Sequence, residues 1–537
     1  MSRTLTRVGI ALLVCSAGAL RAAEPKSTAA PIYDPAEVQA LADLIDQRIG
    51  EVWKRENVVP ATAADDLQFL RRVSLDVGGR IPAVSEVRAY LADQSPEKRR
   101  AVVDRLLDSP AYVVHFTSVW RAVMLPEADA DLQLRFLLPN FEAWLRQRLI
   151  DGVAYDELVR ELLTIPLTAT GPNPQSRELT PIAYYQAKQL KAENLAAGTA
   201  RTFLGVRIEC AQCHDHPFDH WKREEFWSYA SFFAGVERPA GPEGQVMPGM
   251  EDAGKHSLKI PGSEKIVQAA FLGGAEPKWE ANSNSRKVLA DWLTADENPY
   301  FARAAVNRLW SQFFGTGLVD PVDDFCDQNR PSHPELLDEL ARSFVAHRYD
   351  VKFMIRAITS SRAYQLSSIQ NDRSQQDPHR FARMPLRGLT PAQLFDSLAQ
   401  ATGYYERFEN RNPLVIADNT PRAEFLESFG QQDGSGATER ATTILQALVM
   451  MNGRFVSEAT SIDKSATLTA LNEFPLMTTR DRLETIYLAA LCRQPTTDEL
   501  DKMTKYVDGG GPTKDSKRAL GDVFWALLNA SEFLFNH

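Results

Sequence analysis

The chain has 537 residues, of which 44% are hydrophobic and 24% charged, and its formal net charge is −10. These values are ordinary for a folded protein of two or three domains and exclude a largely disordered chain. Proteins that read DNA or RNA usually present a basic face, and this chain has neither an excess of Lys and Arg nor a long run of them. We therefore expect no nucleic-acid partner.

The N-terminus reads MSRTLTRVGIALLVCSAGALRAAEP, which combines early arginines, a short apolar segment and small residues. This order is typical of a secretory signal peptide, which we assign to residues 1–23, and the apolar segment is too short to span a bilayer comfortably. Cleavage would leave a net charge of −13, because three arginines and no acidic residue are removed. No later stretch is apolar over the length of a bilayer. We expect an exported protein without a transmembrane segment after cleavage, located in the periplasm, on the cell surface or in the medium.

Helical periodicity dominates residues 36–235, which we predict as the N-terminal domain. PAEVQALADLIDQRIGEVWKR places apolar residues every three or four positions from Val38 to Ile49, as expected for a helix with one buried face. SPEKRRAVVDRLLDS predicts a helix with Ser95 as N-cap and Pro96 at its first position. AENLAAGTARTFLGVRIEC predicts a helix that leads directly into a cluster of Cys and His.

Glycine, proline and alternating residues predict short strands and loops in an insert over residues 236–285. Residues 286–537 are again helical and form the predicted C-terminal domain. Capping boxes mark three helix starts there, with Ser332, Thr390 and Thr496 as the caps. The end of the chain, RALGDVFWALLNASEFLFNH, predicts an apolar helix that reaches the C-terminus. The fold class is mainly α, with two helical domains and a small β/loop insert between them.

The stretch ECAQCHDHPFDHW, residues 209–221, holds two of the five cysteines and three of the nine histidines. It contains the motif CxxCH at Cys210, Cys213 and His214. From this composition the motif would occur by chance in roughly one chain in a thousand. The leading interpretation is a covalent c-type haem, held by thioether bonds to both cysteines with His214 as an iron ligand. A leading helix and export both agree with it.

Two alternatives remain open for the same residues. Zinc could take four tetrahedral ligands from Cys210, Cys213, His214, His216 and His220, although adjacent residues rarely bind one ion. His214 is thus a candidate ligand for haem iron or for zinc, and His216 and His220 are further candidates for zinc.

A disulfide between the two cysteines is the other alternative, since an exported protein meets an oxidising environment. The remaining cysteines, Cys326 and Cys492, could pair with each other or be buried thiols. In both alternatives the protein would be a non-catalytic extracytoplasmic binding or assembly protein, with the cluster as a structural staple.

The rest of the stretch offers aromatic and acidic side chains. Phe218 and Trp221 could lie on a porphyrin, but packing in the core is the more common role. Asp215 or Asp219 could orient a neighbouring imidazole, or simply bind backbone N–H groups in a turn. The sequence VDPVDDFCD, which ends at Asp327, is more typical of an acidic surface loop than of a calcium site. No motif of a hydrolase, metalloprotease or nucleotide-binding enzyme is present, and no catalytic residue can be named.

TARTFLGVRIECAQCHDHPFDHW resembles the signature of secreted planctomycete-type cytochrome-like proteins that pair two domains of unknown function, numbered 1549 and 1553. FLRRVSLDVGGRIPAVSEVRAYLAD resembles the first domain. NPYFARAAVNRLWSQFFGTGLVDPVDDF, PSHPELLDELARSFVAHRYDVKFMIRAITSSRAYQLSS and the terminal EFLFNH resemble the second. The resemblance covers residues 36 to 537 and implies an exported, cytochrome-like protein whose biochemical role is not established. Many members carry a further cytochrome domain, which is not represented here by a second CxxCH.

A haem at this motif would have a second axial position. His216 is nearest in sequence, but it is too close to His214 to reach the opposite face of the haem. Met247 and Met250 follow at a distance suited to a loop that returns over the haem. His333 and His537 stand in the segments that resemble the second domain, and either could reach the site from there. The partner would be an extracytoplasmic redox protein or a cell-surface protein.

Overall fold

The computed structural model describes residues 33–129, 132–167, 179–237, 250–280, 283–405, 420–428 and 444–537. The predicted signal peptide and Met247 lie outside the described residues. Within these ranges, no helix has the length and apolar character needed to cross a membrane.

Helices account for most of the described chain, which confirms the mainly α fold class. The helices before the insert are α1 (Pro35–Glu56), α2 (Asp66–Gly78), α3 (Val84–Ala92), α4 (Lys98–Leu107), α5 (Pro110–Met124), α6 (Leu132–Arg135), α7 (Leu138–Asp151), α8 (Tyr155–Thr164), α9 (Ala183–Ala187), α10 (Ala192–Thr199) and α11 (Arg223–Ala230). Those after it are α12 (Ser285–Leu293), α13 (Phe301–Phe314), α14 (Pro334–Ala346), α15 (Val351–Ser360), α16 (Pro391–Thr402), α17 (Pro421–Ser428), α18 (Ile444–Asn452), α19 (Arg454–Ala459), α20 (Ala466–Glu473), α21 (Thr479–Leu491), α22 (Thr497–Asp508), α23 (Ser516–Leu528) and α24 (Ser531–Leu534).

The strands are short and form antiparallel pairs. Their bounds are β1 (Val236–Glu237), β2 (Met250–Glu251), β3 (Ser257–Lys259), β4 (Ile266–Gln268), β5 (Arg387–Gly388) and β6 (Phe535–Asn536). β1 pairs with β2 and β3 with β4 inside the predicted insert. β5 pairs with β6, so the last residues of the chain meet a segment near residue 388.

Local sequence signals account for several helix ends. Asp34 caps α1, since its side chain accepts a hydrogen bond from the Ala36 N–H over 2.8 Å, and Asn57 ends the helix in the left-handed conformation. The apolar residues from Val38 to Ile49 face the core as predicted. The capping boxes at Thr390 and Thr496 are both present.

Three predicted boundaries are wrong. The helix assigned to Ser95 begins at Lys98, with Glu97 as N-cap. The helix assigned to Ser332 is capped at His333 instead, and Ser332 donates its own N–H to the Leu318 carbonyl over 2.7 Å.

The third error concerns the end of the chain. The predicted terminal helix stops at Leu528, a second short helix follows, and residues 535–536 form β6. The pairing of β6 with β5 replaces the last helical turn.

Two hydrophobic cores organise the molecule. The larger includes buried residues from α1 to α15 and therefore lies on both sides of the insert. The smaller is formed mainly by α16 to α24, together with Leu75 and Ile81 from the N-terminal part. The first part of the chain thus contributes to both cores.

Candidate functional site

The CxxCH loop follows α10 after one tight change of direction. α10 continues as a π-helical turn, Ala200–Leu204, and ends at Gly205, which has a φ of 70°. A Cβ at this glycine would lie 2.7 Å from Cδ2 of Phe325, so the close contact also requires glycine. The Gly205 carbonyl accepts a hydrogen bond from the Phe325 N–H over 2.9 Å. The start of the loop is therefore fixed to the segment around residue 325.

An ion-pair network strengthens this attachment. Asp323 accepts hydrogen bonds from Arg201 Nε and Arg207 Nη2, each over 2.5 Å. Burial alone would raise the pKa of Asp323, but the two guanidinium groups outweigh it and hold the pKa below its ordinary value. Asp323, from the acidic stretch that ends at Asp327, thus binds one arginine before Gly205 and one after it.

The two thiols of the motif point to solvent. Residues 209–212 form a 3-10 turn, in which Ala211 is buried while Cys210 is exposed. Cys213 follows the turn and is also exposed, and both thiols are free. Trp227 donates its Nε1–H to the carbonyl of Gln212 over 3.0 Å. The backbone and Ala211 hold the turn on the protein, so both thiols remain accessible.

His214 has a defined hydrogen-bonding arrangement. Its Nδ1 lies 2.7 Å from the Asp215 carbonyl oxygen. Because a carbonyl only accepts, Nδ1 must carry the hydrogen and Nε2 keeps its lone pair. The Asp215 carboxylate in turn accepts from the Arg223 N–H over 3.0 Å. The exposed imidazole is therefore oriented with Nε2 as its available ligand atom.

The aromatic residues of the stretch have different roles. Trp221 is 2% exposed and belongs to the larger core, whereas Phe218 is 71% exposed. Between them and the motif, His216 accepts a hydrogen bond at Nδ1 from the Phe218 N–H over 3.3 Å. Packing in the core is thus the role of Trp221, and Phe218 leaves an apolar ring on the surface beside the motif.

Asp219 and His220 meet a residue that is distant in sequence. Asp219 Oδ1 lies 2.8 Å from His220 Nδ1, so Asp219 is the carboxylate that orients an imidazole. Ligand atoms of Asp219, His220 and Asp327 all lie within 4.8 Å of one another. In the described part of the chain this is the one group of three or more potential metal ligands, and it does not include Cys210, Cys213, His214 or His216.

The remaining sequence-predicted ligands are dispersed. Met250 lies in β2 and is 47% exposed. His333 is 3% exposed in the core, where burial lowers its pKa to about 4 and its ring contacts Phe381. His537 lines a cavity of about 580 Å³ together with Cys492, and burial lowers its pKa to about 4 as well. No pairing of Cys326 with Cys492 is present, since both are free thiols.

Two family models match the chain in succession. PSCyt2, described as a protein of unknown function (DUF1549), matches residues 44–238. PSD1, described as a protein of unknown function (DUF1553), matches residues 285–507. The chain belongs to the proteins that pair these two domains. No curated protein and no solved structure matches it.

The PSCyt2 and PSD1 regions meet at the loop. The PSCyt2 region contributes the CxxCH motif, Asp219 and His220, and the PSD1 region contributes Asp323, Phe325 and Asp327. Arg308 of the PSD1 region also donates from Nη2 to the Arg201 carbonyl over 2.8 Å. The surroundings of the motif therefore belong to both matched regions. The sequence alone does not predict this contact between the two regions, because the contributing segments are about one hundred residues apart in the chain.

The larger cavity, of about 1490 Å³, lies elsewhere between the two regions. Asp76, His115, Arg387 and Asn536 are among its lining residues. Burial raises the pKa of Asp76, against the opposing effect of Arg387, and lowers the pKa of His115 to about 4. Neither this cavity nor the smaller one is lined by Cys210 or Cys213.

Proposed function

We propose that this is an exported protein that carries one c-type haem at Cys210, Cys213 and His214 and acts in electron transfer or another redox process. The observation that carries the proposal is the combination of two free, exposed thiols with an oriented imidazole in the next position. Two thioether bonds and one axial nitrogen are the contacts that c-type attachment requires.

The thiols suit covalent attachment. Each S–H would add across one vinyl group of the porphyrin, which forms a C–S bond and needs neither an oxidant nor a leaving group. Cys210 and Cys213 are free and at the surface, so this addition meets no steric barrier from the core. A structural staple is expected instead to hold its sulfur atoms between packed elements.

The imidazole suits an axial ligand. A metal-bound histidine usually donates its other ring N–H to a carbonyl or carboxylate, which fixes the ring and the tautomer. In His214, Nδ1 donates its hydrogen to the Asp215 carbonyl, so Nε2 is available to bind iron. When bound, the haem would supply a reversible one-electron carrier.

The location of the thiols bears on the partner. An attachment site at the surface, beside the exposed ring of Phe218, would leave the haem accessible to a second protein. We therefore propose an extracytoplasmic redox or cell-surface partner. Export follows from the proposal, since attachment of c-type haem takes place outside the cytoplasm. The second axial ligand stays open among His216, Met247, Met250, His333 and His537.

The proposal is tested by a visible absorption spectrum of the exported protein from a host with c-type haem maturation. We expect a Soret band and a pyridine haemochrome of the thioether type. Both should disappear in Cys210→Ala/Cys213→Ala and remain in Cys326→Ser, a matched control in a different segment. A colourless wild-type protein from that host would overturn the proposal, and zinc bound through the two cysteines would support a structural staple instead.

A further inference from the structure

We propose that Asp219, His220 and Asp327 form a binding site for one divalent transition-metal ion, separate from the CxxCH motif, between the PSCyt2 and PSD1 regions. The three ligand atoms lie within 4.8 Å of one another. One imidazole and two carboxylates suit zinc, and three protein ligands would leave a position open to solvent. Asp219 and His220 are neighbours, an uncommon arrangement for one ion, but their ligand atoms and that of Asp327 come together in the structure.

The ligand atoms are separated by up to 4.8 Å, and a bound ion would draw them closer together. Zinc–ligand bonds of about 2.0–2.2 Å place the ligand atoms of a tetrahedral site about 3.5 Å apart. Asp219 Oδ1 and His220 Nδ1 share a hydrogen bond over 2.8 Å, so the hydrogen on Nδ1 has to move to Nε2 before both atoms can bind one ion. The widest separation would have to close by up to about 1.3 Å to reach this value. His220 and Asp327 are exposed and have room to make the adjustment.

Asp219 provides a fixed point for the site. Only 4% of its side chain is exposed, and Oδ1 also accepts the His220 N–H over 2.8 Å. The carboxylate is therefore held in one orientation by its immediate neighbour. A ligand fixed in this way loses little conformational freedom when an ion binds.

The charges around the cluster are not balanced by a cation of the protein. Within the described ranges, neither carboxylate has a Lys or Arg at ion-pair distance, and the one partner of Asp219 is His220. Arg303, whose charge acts on the neighbouring Tyr300, is engaged in an ion pair with Asp338 over 2.6 Å.

Tyr300 lies close enough to Asp219 and Asp327 for both charges to act on its hydroxyl. Burial first, and then the charges of Asp219 and Asp327, raise its pKa. Both carboxylates therefore act on the same small volume. A divalent cation there would neutralise two charges that the protein leaves uncompensated.

The position of the ligands gives the site a structural consequence. Asp219 and His220 lie within the PSCyt2 match, whereas Asp327 lies within the PSD1 match. A bound ion would connect the two regions a few residues from Gly205 and the thiols. Binding should therefore stabilise the folded protein as a whole, because the unfolded chain does not hold the three ligands together.

The test uses the exported chain carrying Cys210→Ala/Cys213→Ala, treated with a chelator, so that neither thiols nor haem contribute. Zn²⁺ is titrated by calorimetry, and thermal unfolding is followed with and without the ion. We expect one Zn²⁺ per chain and an increase in Tm. His220→Ala and Asp327→Asn should each weaken binding at least about tenfold, whereas His256→Ala, a control that removes a histidine stacked on Trp279, should not.

Absence of Zn²⁺ binding in the chelator-treated protein would overturn the proposal. So would binding that Asp327→Asn leaves unchanged, because the site would then lack its ligand from the PSD1 region. Asp219 is not substituted in this test, since its burial makes misfolding of the variant a competing explanation. Because the cysteines are absent, the outcome is independent of haem attachment at the motif.

Discussion

Asn536 donates its Nδ2–H to the carboxylate of Asp76 over 2.7 Å, which ties the second-last residue of the chain to α2. Arg387 donates to both oxygens of the same carboxylate over 2.7 and 2.8 Å, and the Tyr364 hydroxyl donates over 2.7 Å. Asp76 is therefore a fully engaged carboxylate at the junction of the two cores and at the larger cavity.

Removal of this carboxylate should strongly destabilise the protein. Asp76→Ala would leave the buried guanidinium of Arg387 without its partner, so we expect a loss of about 3–5 kcal/mol in the free energy of unfolding. Urea denaturation followed by circular dichroism measures it. Asp501→Ala, which breaks an exposed pair with Arg480, should cost at most about 1 kcal/mol. Equal losses in the two variants would contradict the assigned role of Asp76.

The terminal strand should contribute through its side chain as well as its backbone. Asn536→Ala removes one hydrogen bond to a buried charge, for which we expect a loss of about 1.5–3 kcal/mol. Gln39→Ala, where an exposed amide bonds only to Asp43, should change stability by less than about 0.5 kcal/mol. The same denaturation experiment compares them, and an unaffected Asn536→Ala variant would show that the chain end is not anchored in this way.

Alanine substitutions at two glycines distinguish the cost of backbone strain from the cost of a steric clash near the motif. Gly152 and Gly205 both have positive φ, but a Cβ at Gly152 meets no atom within 4 Å. Gly152→Ala should therefore cost about 1–2 kcal/mol from backbone strain alone.

Gly205→Ala should cost more, because its Cβ also meets Phe325 and such overpacking adds about 1–3 kcal/mol. The displaced loop should lower haem incorporation per chain, measured as the Soret-to-protein absorbance ratio. Equal stabilities and equal ratios in both variants would be inconsistent with the close contact at Gly205.

His333 should make stability depend on pH. Burial lowers its folded-state pKa to about 4, below the value of about 6.5 in an unfolded chain. Between these values the unfolded state binds the extra proton, so stability is fully present above about pH 6.5 and falls toward pH 4. The contribution of this residue is at most about 3 kcal/mol.

His333→Gln tests this assignment. It should reduce but not abolish the decline in unfolding free energy between pH 6.5 and 4, measured by urea denaturation, because the pKa values of His115 and His537 are lowered to about 4 as well. If the free energy of unfolding of His333→Gln fell with pH as steeply as in the wild type, a group other than His333 would cause the decline.

The sequence predicts features that local chemistry determines. The stripe of α1 and the caps at Thr390 and Thr496 depend on residues within one or two turns, and all three predictions are confirmed. Ser332 failed as a cap because a distant carbonyl, that of Leu318, takes its N–H. The terminal helix failed for a similar reason, since pairing with β5 and the contact with Asp76 favour a strand.

The candidate site also contains features that the local sequence predicts and features that depend on distant residues. The CxxCH motif is contiguous and is recognisable by residue type alone. The sequence names Asp219 only as one of two candidates, with Asp215, for orienting an imidazole. Asp327 was assigned to an acidic surface loop, because nothing in its own neighbourhood points to His220. The exposure of both thiols likewise depends on the packing of Ala211 and on the anchoring of Gln212, neither of which the motif encodes.

The most direct test of the haem proposal is the intact mass of the exported protein under denaturing conditions, after expression in a host with c-type haem maturation. We predict the mass of the mature chain plus one haem, and the mass of the chain alone for Cys210→Ala/Cys213→Ala. A wild-type mass equal to that of the unmodified chain would contradict covalent attachment at Cys210 and Cys213.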